Sequence, residues 1–449
     1  MSKELKKDTL GLAQSLVMGV AGSAPSYSIS ATMATLVAAV GVLAPASLLY
    51  SGLLIVGVVL SYMYLNQHNP NSGASYAWVS EIFHVRLGFF AGWTLLVASA
   101  LFMVAATIPA ATATLLLLGP ELVTSQTAVT LCSAGWLALV TLVVVRGVGL
   151  TARIQMLMTT CELIILLIIS VLVLNKFGGQ FLHQLNWHDL SLFAFTPESF
   201  ARGAVISLFF FWGWDVSLNL NEETRSSNTS PGFGAVGAVL VILVFFTVFA
   251  AIILLALGDK EIADAGTNVI FVVADKVLPR PWSYIAVLAA MLSTLGTIET
   301  SMLQFTRTMF AKSRDGVFHA RWSKTHDRWG TPHYATFLIA ILGAAFLAGS
   351  LASDGVASVM SKSINIIGVQ AAYYYGLAAL ACAWHFRKRA LRSLPGFLMM
   401  MAWPIASCLA LWWAACVTAL SFDLVTAAIA VGSVLLGFIP LVIHSRQKR

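Results

Sequence analysis

The sequence predicts an all-α integral membrane protein of twelve transmembrane helices, on three observations. Of 449 residues 59% are apolar and only 10% are charged, a balance that a water-facing surface cannot accommodate. Twelve apolar runs, at about 12–36, 42–65, 87–118, 125–145, 154–175, 200–221, 233–257, 282–311, 333–352, 357–384, 396–420 and 424–443, approach or exceed the roughly 20 residues that a helix needs to cross a bilayer. The basic residues alternate from loop to loop. With the N-terminus placed in the cytoplasm, most of the 26 Lys and Arg, from Lys3, Lys6 and Lys7 to Arg446, Lys448 and Arg449, fall at inner ends, as the positive-inside rule requires. The net charge of +7 is therefore a topology signal, with anionic lipid as a secondary contact. It does not call for nucleic acid.

The first run follows three lysines, yet it is too long for the apolar core of a signal peptide, so it reads as an uncleaved helix. Its centre, Gly19 to Ser28, concentrates Gly, Ser, Pro and Tyr. Pro25 lacks an amide hydrogen and clashes with the preceding turn, and Gly22 weakens the helix. Both favour unwinding; the plainer alternative is a proline kink packed by small residues. The sixth run, VISLFFFWGWDVSLNLNEETR at 205–225, is interrupted in the same way by Gly213 and Asp215. Bare amides and carbonyls survive at membrane depth only where protein or a polar cavity covers them, so each break marks a candidate binding site. For the sixth run the alternative is a tolerated glycine kink with Asp215 bonded to a neighbouring helix.

Five crossings separate the two breaks, and an odd number reverses orientation. Two five-helix halves that each open on a broken helix form an inverted repeat, in which matching interruptions point to a transport site. The expected organisation is a ten-helix core over 1–384, with halves at about 10–175 and 198–384. Two peripheral helices and a basic tail follow over 385–449.

Between these runs, 69–93 is too polar at its start for lipid and reads as a re-entrant loop or surface helix. Glu162 in the fifth run and Glu299 in the eighth place an acid inside hydrocarbon, where such residues face the protein interior and carry function. They are candidates for ion or proton coupling, or else neutral acids bonded to a neighbouring helix. Segment 258–280 reads as an amphipathic surface helix. The last two runs hold no charge except Asp423 in their connection, which suits the periphery. Cys132, Cys161, Cys382, Cys408 and Cys416 lie in apolar runs without metal or disulfide spacing and read as packing. The sequence carries no HExxH, paired catalytic cluster or nucleotide-binding loop. It calls for neither an enzyme, a cofactor nor an ATP-driven pump.

Four blocks, PNSGASYAW with GFFAGW (70–78 and 88–93), FFFWGWDVSLNLNEETRSSNTSPG (209–232), TRTMFAKSRDGVFHARW (306–322) and GTPHYA (330–335), resemble the amino acid–polyamine–organocation transporters in order and spacing. The resemblance implies an inverted-repeat core of the LeuT type with discontinuous helices 1 and 6, plus two further helices. In that family a Gly-Ser/Thr-Gly turn in helix 1 offers amides to a substrate carboxylate, and helix 6 carbonyls hold its amino group. The polarity of helix ends suits both roles. Here the triplet falls on Pro25, Ser26 and Tyr27 when counted from Leu10-Gly11-Leu12, or on Gly22, Ser23 and Ala24 when shifted by three. Pro25 cannot donate and Tyr27 fills space, which opens the reading of a carboxylate-free amine. Phe209 falls at the family's gating aromatic. Trp212 and Trp214 flank Gly213 next to Asp215, and aromatic faces suit a cationic amine. Glu162 stands near a lysine found in proton-coupled members. The expected function is secondary transport of a small amino acid, organic amine or polyamine, driven by protons or exchange, in the cell membrane with both termini cytoplasmic. The alternative is a potassium-type cation uptake protein or channel on the same scaffold. The implied partners are a small-molecule substrate, protons or a monovalent cation, and the bilayer.

Overall fold

Long apolar stretches without competing turn chemistry become helices, and the chain punctuates them with proline at first-turn positions and glycine beyond their ends. The computed structural model describes residues 4–179, 182–183, 185–350 and 356–447; Lys3, Lys448 and Arg449 of the basic set lie outside them. The first half comprises α1 (Leu12–Ser23), α2 (Pro25–Val40), α3 (Ala44–His68), α4 (Ser75–Ile82), α5 (Val85–Leu118), α6 (Gln126–Val145) and α7 (Val148–Phe177). The second comprises α8 (Pro197–Phe210), α9 (Val216–Asn219), α10 (Ser230–Ala256), α11 (Asp259–Ala265), α12 (Val269–Val277), α13 (Ile285–Arg314), α14 (His333–Ser350) and α15 (Val356–His385). The chain closes with α16 (Arg387–Ala390), α17 (Leu394–Phe397), α18 (Trp403–Leu420), α19 (Leu424–Leu435) and α20 (Phe438–Gln447).

Among the described residues, ten helical stretches are long and apolar enough to cross a membrane. One runs from Leu12 to His68 and contains α1, α2 and α3; the pair α8 and α9 is too interrupted to qualify. The all-helical membrane architecture is as the composition requires. The stretch 69–93 holds the short helix α4, and 258–280 forms two short helices instead of one. Gly266, at a φ of 53°, turns the chain between α11 and α12, a conformation that glycine adopts at little cost.

The centre of the molecule is α13, which packs against α1, α2, α5 and α7, while α10 packs on α1 and α3, and α15 on α3 and α5. In the most apolar window of Lys362–His385 83% of residues are buried, against 28% for Leu394–Leu420 and 11% for Leu424–Val442. The last two spans therefore lie at the rim.

At the end of the molecule that carries the N-terminus, buried polar groups knit the elements together. Leu10 and Thr224 form an isolated parallel bridge, in which the Thr9 and Leu10 amides donate to the Glu223 carbonyl and the Arg225 amide to the Leu10 carbonyl. The Glu223 side chain accepts two bonds from Arg307, at 2.8 and 2.9 Å, and both side chains are buried. Removing one member of such a pair strands a charge, typically at a cost of about 3–5 kcal/mol, whereas replacing both by apolar groups is often neutral. Arg307→Met alone should lower the melting temperature of the purified protein in detergent clearly. Arg307→Met with Glu223→Leu should recover most of the loss, and a single variant that melts like the parent would refute a stabilising pair.

Candidate functional site

The two breaks meet. Helix α1 ends at Ser23, one residue, Ala24, takes a left-handed conformation (φ 47°, ψ 72°), and α2 restarts at Pro25. The sequence expectation of unwinding between Gly19 and Ser28 thus narrows to a single residue, because Pro25 is favourable at a first helical position, where its missing amide hydrogen costs nothing. Holding a non-glycine residue at positive φ is strained, and such strain gathers at functional sites. The second break is wider. It runs from Phe211 to Asp215, between α8 and α9, with Gly213 at a φ of 99°. Gly22 and Gly213 touch backbone to backbone, and a Cβ on either would strike the other's carbonyl.

The start of α2 is enclosed by side chains from two other helices. The Ser26 amide donates to Glu162 Oε1 of α7 at 3.0 Å, and the Tyr27 amide donates to Ser293 Oγ of α13 at 3.2 Å. Ser293 in turn donates to Glu162 Oε1 at 2.8 Å, and Thr297 Oγ1 donates to the Gly22 carbonyl at 3.0 Å. A carboxylate at a helix N-terminus answers both the free amides and the positive end of the helix dipole. Of the two placements of the triplet, Pro25, Ser26 and Tyr27 supply the N-terminal turn of α2, while Gly22 and Ser23 close α1 and Ala24 joins them. Glu299 stands apart from this cluster. Its Oε2 accepts from Gln155 Nε2 at 3.0 Å, in the amide orientation in which Gln155 Oε1 also accepts from Thr159 Oγ1. Gln155 lies two turns along α7 from Glu162.

On the other side of the Gly22–Gly213 contact, Asp215 is fully buried. Its Oδ1 accepts from the Tyr375 hydroxyl at 2.8 Å and its Oδ2 from Gln304 Nε2 at 2.6 Å. Trp214 stacks on Tyr375 with ring centroids 5.3 Å apart, and Trp212 Nε1 donates to the Tyr374 hydroxyl at 2.9 Å. Tyr27, Phe209 and Trp212 gather around Phe102 of α5, at 5.9, 6.4 and 5.0 Å between centroids. The Tyr27 hydroxyl donates to the Ala105 carbonyl. Tyr27 also borders a cavity of about 270 Å³ between α2, α5, α12 and α13, whose walls include Ser30, Thr112, Phe271 and Thr294.

Six side chains central to this arrangement, Phe102, Ser293, Thr297, Gln304, Tyr374 and Tyr375, are absent from the sequence-derived set. One signal was available. Ser293, Thr297 and Gln304 are spaced by four and seven residues, which puts these polar side chains on one face of α13. Nothing distinguishes Phe102 or the two tyrosines from core aromatics before the packing is known.

The chain is similar to known proteins. Asc-type amino acid transporter 1 of Homo sapiens is 27% identical over 285 residues, covering 61% of this chain and 52% of that protein. The branched-chain amino acid permease BcaP of Bacillus subtilis (strain 168) is 26% identical over 208 residues, 45% of this chain and 42% of that protein. The chain thus spans about half the length of the curated relatives it matches. Among solved structures, the crystal structure of MhsT in complex with L-phenylalanine matches with a TM-score of 0.65 over 89% of this chain and 98% of that one. At 12% identity this is a likeness of fold, and it is the LeuT-type fold that the resemblance implied. A model of the amino acid permease family matches residues 9–443. On a match that runs over nearly the whole chain, with the two breaks joined at Gly22 and Gly213, the chain belongs to the amino acid permease family.

Proposed function

We propose that this chain is a secondary transporter that carries a small amino acid or organic amine by alternating access about the paired breaks, in the cell membrane with both termini cytoplasmic. The observation that carries the reading is the backbone contact between Gly22 and Gly213, which gives the two interrupted helices one common centre. Substrate and coupling sites of such folds lie where half-helix ends converge near the bilayer midplane. Relatives named as amino acid transporters support the substrate class. Residues 1–384 form the transport core in this reading, and 385–449 its peripheral helices and tail.

Glu162 is the proposed coupling group. Its Oε1 receives the Ser26 amide and the Ser293 hydroxyl together, so a proton gained by this carboxyl weakens both bonds and loosens α2 from α7 and α13. Around the other break, Tyr27, Phe209, Trp212 and Asp215 are the proposed substrate contacts.

Three expectations test this reading in proteoliposomes with an imposed pH gradient. Labelled amino acids or amines should accumulate and compete with one another; uptake of potassium without such competition would replace the transporter by a cation pathway. Glu162→Gln should abolish gradient-driven accumulation while equilibrium binding persists, and unchanged accumulation would remove Glu162 from coupling. Trp212→Ala removes the indole beside Phe102 and the bond to Tyr374, and should weaken substrate affinity by about tenfold or more, the loss of roughly 1.4 kcal/mol. Unaltered affinity would make Trp212 a packing residue. The glycines give a matching control on stability. Gly22→Ala should destabilise by about 1–3 kcal/mol through overpacking, whereas Gly135→Ala, which meets nothing within 4 Å on α6, should hold or raise the melting temperature.

A further inference from the structure

We infer that Glu299 is a second proton-binding site, at which one proton turns the Gln155 amide over and reverses the hydrogen bond that Thr159 makes one turn from Glu162; its part in coupling rests on the transporter reading above. Helices α7 and α13 meet at two levels. At one, Ser293 donates to Glu162. At the other, six residues farther along α13 and seven residues earlier on α7, Glu299 meets Gln155. Gln155, Thr159 and Glu162 are spaced by four and three residues, so they share one face of α7. These three and Glu299 are at most 3% exposed. The two levels lie about 10 Å apart along the helix, and an amide and a hydroxyl fill the interval.

The Gln155 amide finds partners either way round. With Nε2 towards α13 it donates to Glu299 Oε2 at 3.0 Å and to the Gly296 carbonyl at 3.3 Å, while Oε1 accepts from the Thr159 hydroxyl at 2.9 Å. With Nε2 towards Thr159 it donates to Thr159 Oγ1 at 2.9 Å, and Oε1 then stands against Glu299 Oε2. An ionised carboxylate only accepts, whereas a protonated one has an O–H to donate. The first arrangement therefore belongs to an ionised Glu299 and the second to a neutral one. When Glu299 takes a proton from water, its new O–H donates to Gln155 Oε1, the amide turns, and Thr159 changes from donor to acceptor. The Gly296 carbonyl, released by the amide, keeps the Thr300 hydroxyl at 3.2 Å. The hydrogen on Thr159 Oγ1 is then free on the face of α7 that carries Glu162. Release of the proton runs the same steps backwards.

No base holds Glu299 in its charged form. Among the described residues the buried basic side chains are Arg307 and Lys312. Arg307 is held by Glu223, and Lys312 donates to the Phe89 carbonyl. Of the helices packed on α13, α1 and α9 carry no ionisable side chain, and α2 and α6 carry only Tyr27 and Cys132. Arg86 of α5 and Arg153 and Lys176 of α7 are exposed, and His333 stands at the start of α14. The acids that α13 meets, Glu162 at Ser293 and Asp215 at Gln304, add negative charge and no counter-ion. Gly296 makes room for the amide, since a Cβ there would strike the end of the Gln155 side chain.

The test is an infrared titration of the full chain purified in detergent, which reads protonated carboxyls and needs no substrate. A carboxyl band that appears on acidification should be lost in Glu299→Gln and kept in Glu162→Gln. A side-chain amide band, assigned to Gln155 by its loss in Gln155→Met, should shift along the same titration curve. If Glu299→Gln removes no titrating band, or if the Gln155 band stays still while the carboxyl titrates, the inference is overturned. Gly296→Ala decides the matter where Glu299→Gln fails to fold: it moves the amide off Glu299 and should shift one titrating carboxyl band, and a spectrum like the parent's at every pH overturns the site. In proteoliposomes loaded from labelled leucine or alanine, Glu299→Gln should remove one step from the pH profile of uptake, and an identical profile takes Glu299 out of coupling. A parent protein that titrates at Glu299 yet accumulates neither amino acids nor amines overturns the transporter reading and leaves the proton site standing.

Discussion

A polypeptide that stops being helical inside hydrocarbon must find partners for the peptide groups it releases, and this requirement fixes the middle of the molecule. The single unwound residue of the first break exposes the amides of Ser26 and Tyr27. They are answered from two directions, by Glu162 on α7 and Ser293 on α13, while Thr297 on α13 caps the Gly22 carbonyl. The second break, centred on Gly213, lies against Gly22 closely enough to exclude a methyl group from either. Four otherwise separate parts of the chain are thereby held in one register. The long packing of α13 against α1, α2 and α7 follows from the same pairing.

Charge is arranged differently at the two levels of the protein. Near the N-terminus, acids and bases are matched: Arg307 with Glu223 and Arg314 with Glu222, both in two-pronged contacts. Lys312 has no acid on it among the described residues and is surrounded instead by the rings of Tyr76, Phe89 and Phe318, at 5.2, 4.1 and 5.5 Å. At the breaks the acids have only neutral donors, Tyr375 and Gln304 on Asp215, Ser26 and Ser293 on Glu162. The matched pairs tie one end of the molecule together, whereas the acids at the breaks are held by neutral donors alone.

The membrane-spanning character and the places of both breaks were legible in the sequence, because apolar length and the backbone limits of proline and glycine act locally. Gly22, Pro25, Gly213 and Asp215 announce themselves as misfits within apolar runs, and so do Glu162 and Glu299. The extent of unwinding was not legible: Pro25 could be read as breaking the helix over ten residues, yet it opens the next helix after one. Nor was the separation of Glu162 from Glu299, since both are acids in apolar runs and only the packing of α7 on α13 assigns one to Ser26 and the other to Gln155. Tyr374 and Tyr375 needed the tertiary fold altogether. Their role comes from lying opposite Trp212 and Asp215, more than 150 residues away in the chain.

The inequality of the two breaks divides their labour. At the first, only Ala24 departs from helical geometry, and what the break presents is backbone, consumed by Glu162, Ser293 and Thr297. At the second, five consecutive residues, Phe211 to Asp215, lie between helices, and two indoles and a carboxyl come with them. In the transporter reading proposed above, variation in 211–215 would alter what the centre recognises, whereas a change at Ser26, Glu162 or Ser293 removes a bond that holds α2. On that reading recognition and helix anchoring rest on different residues that share one contact, Gly22 against Gly213, where no side chain stands between the two backbones.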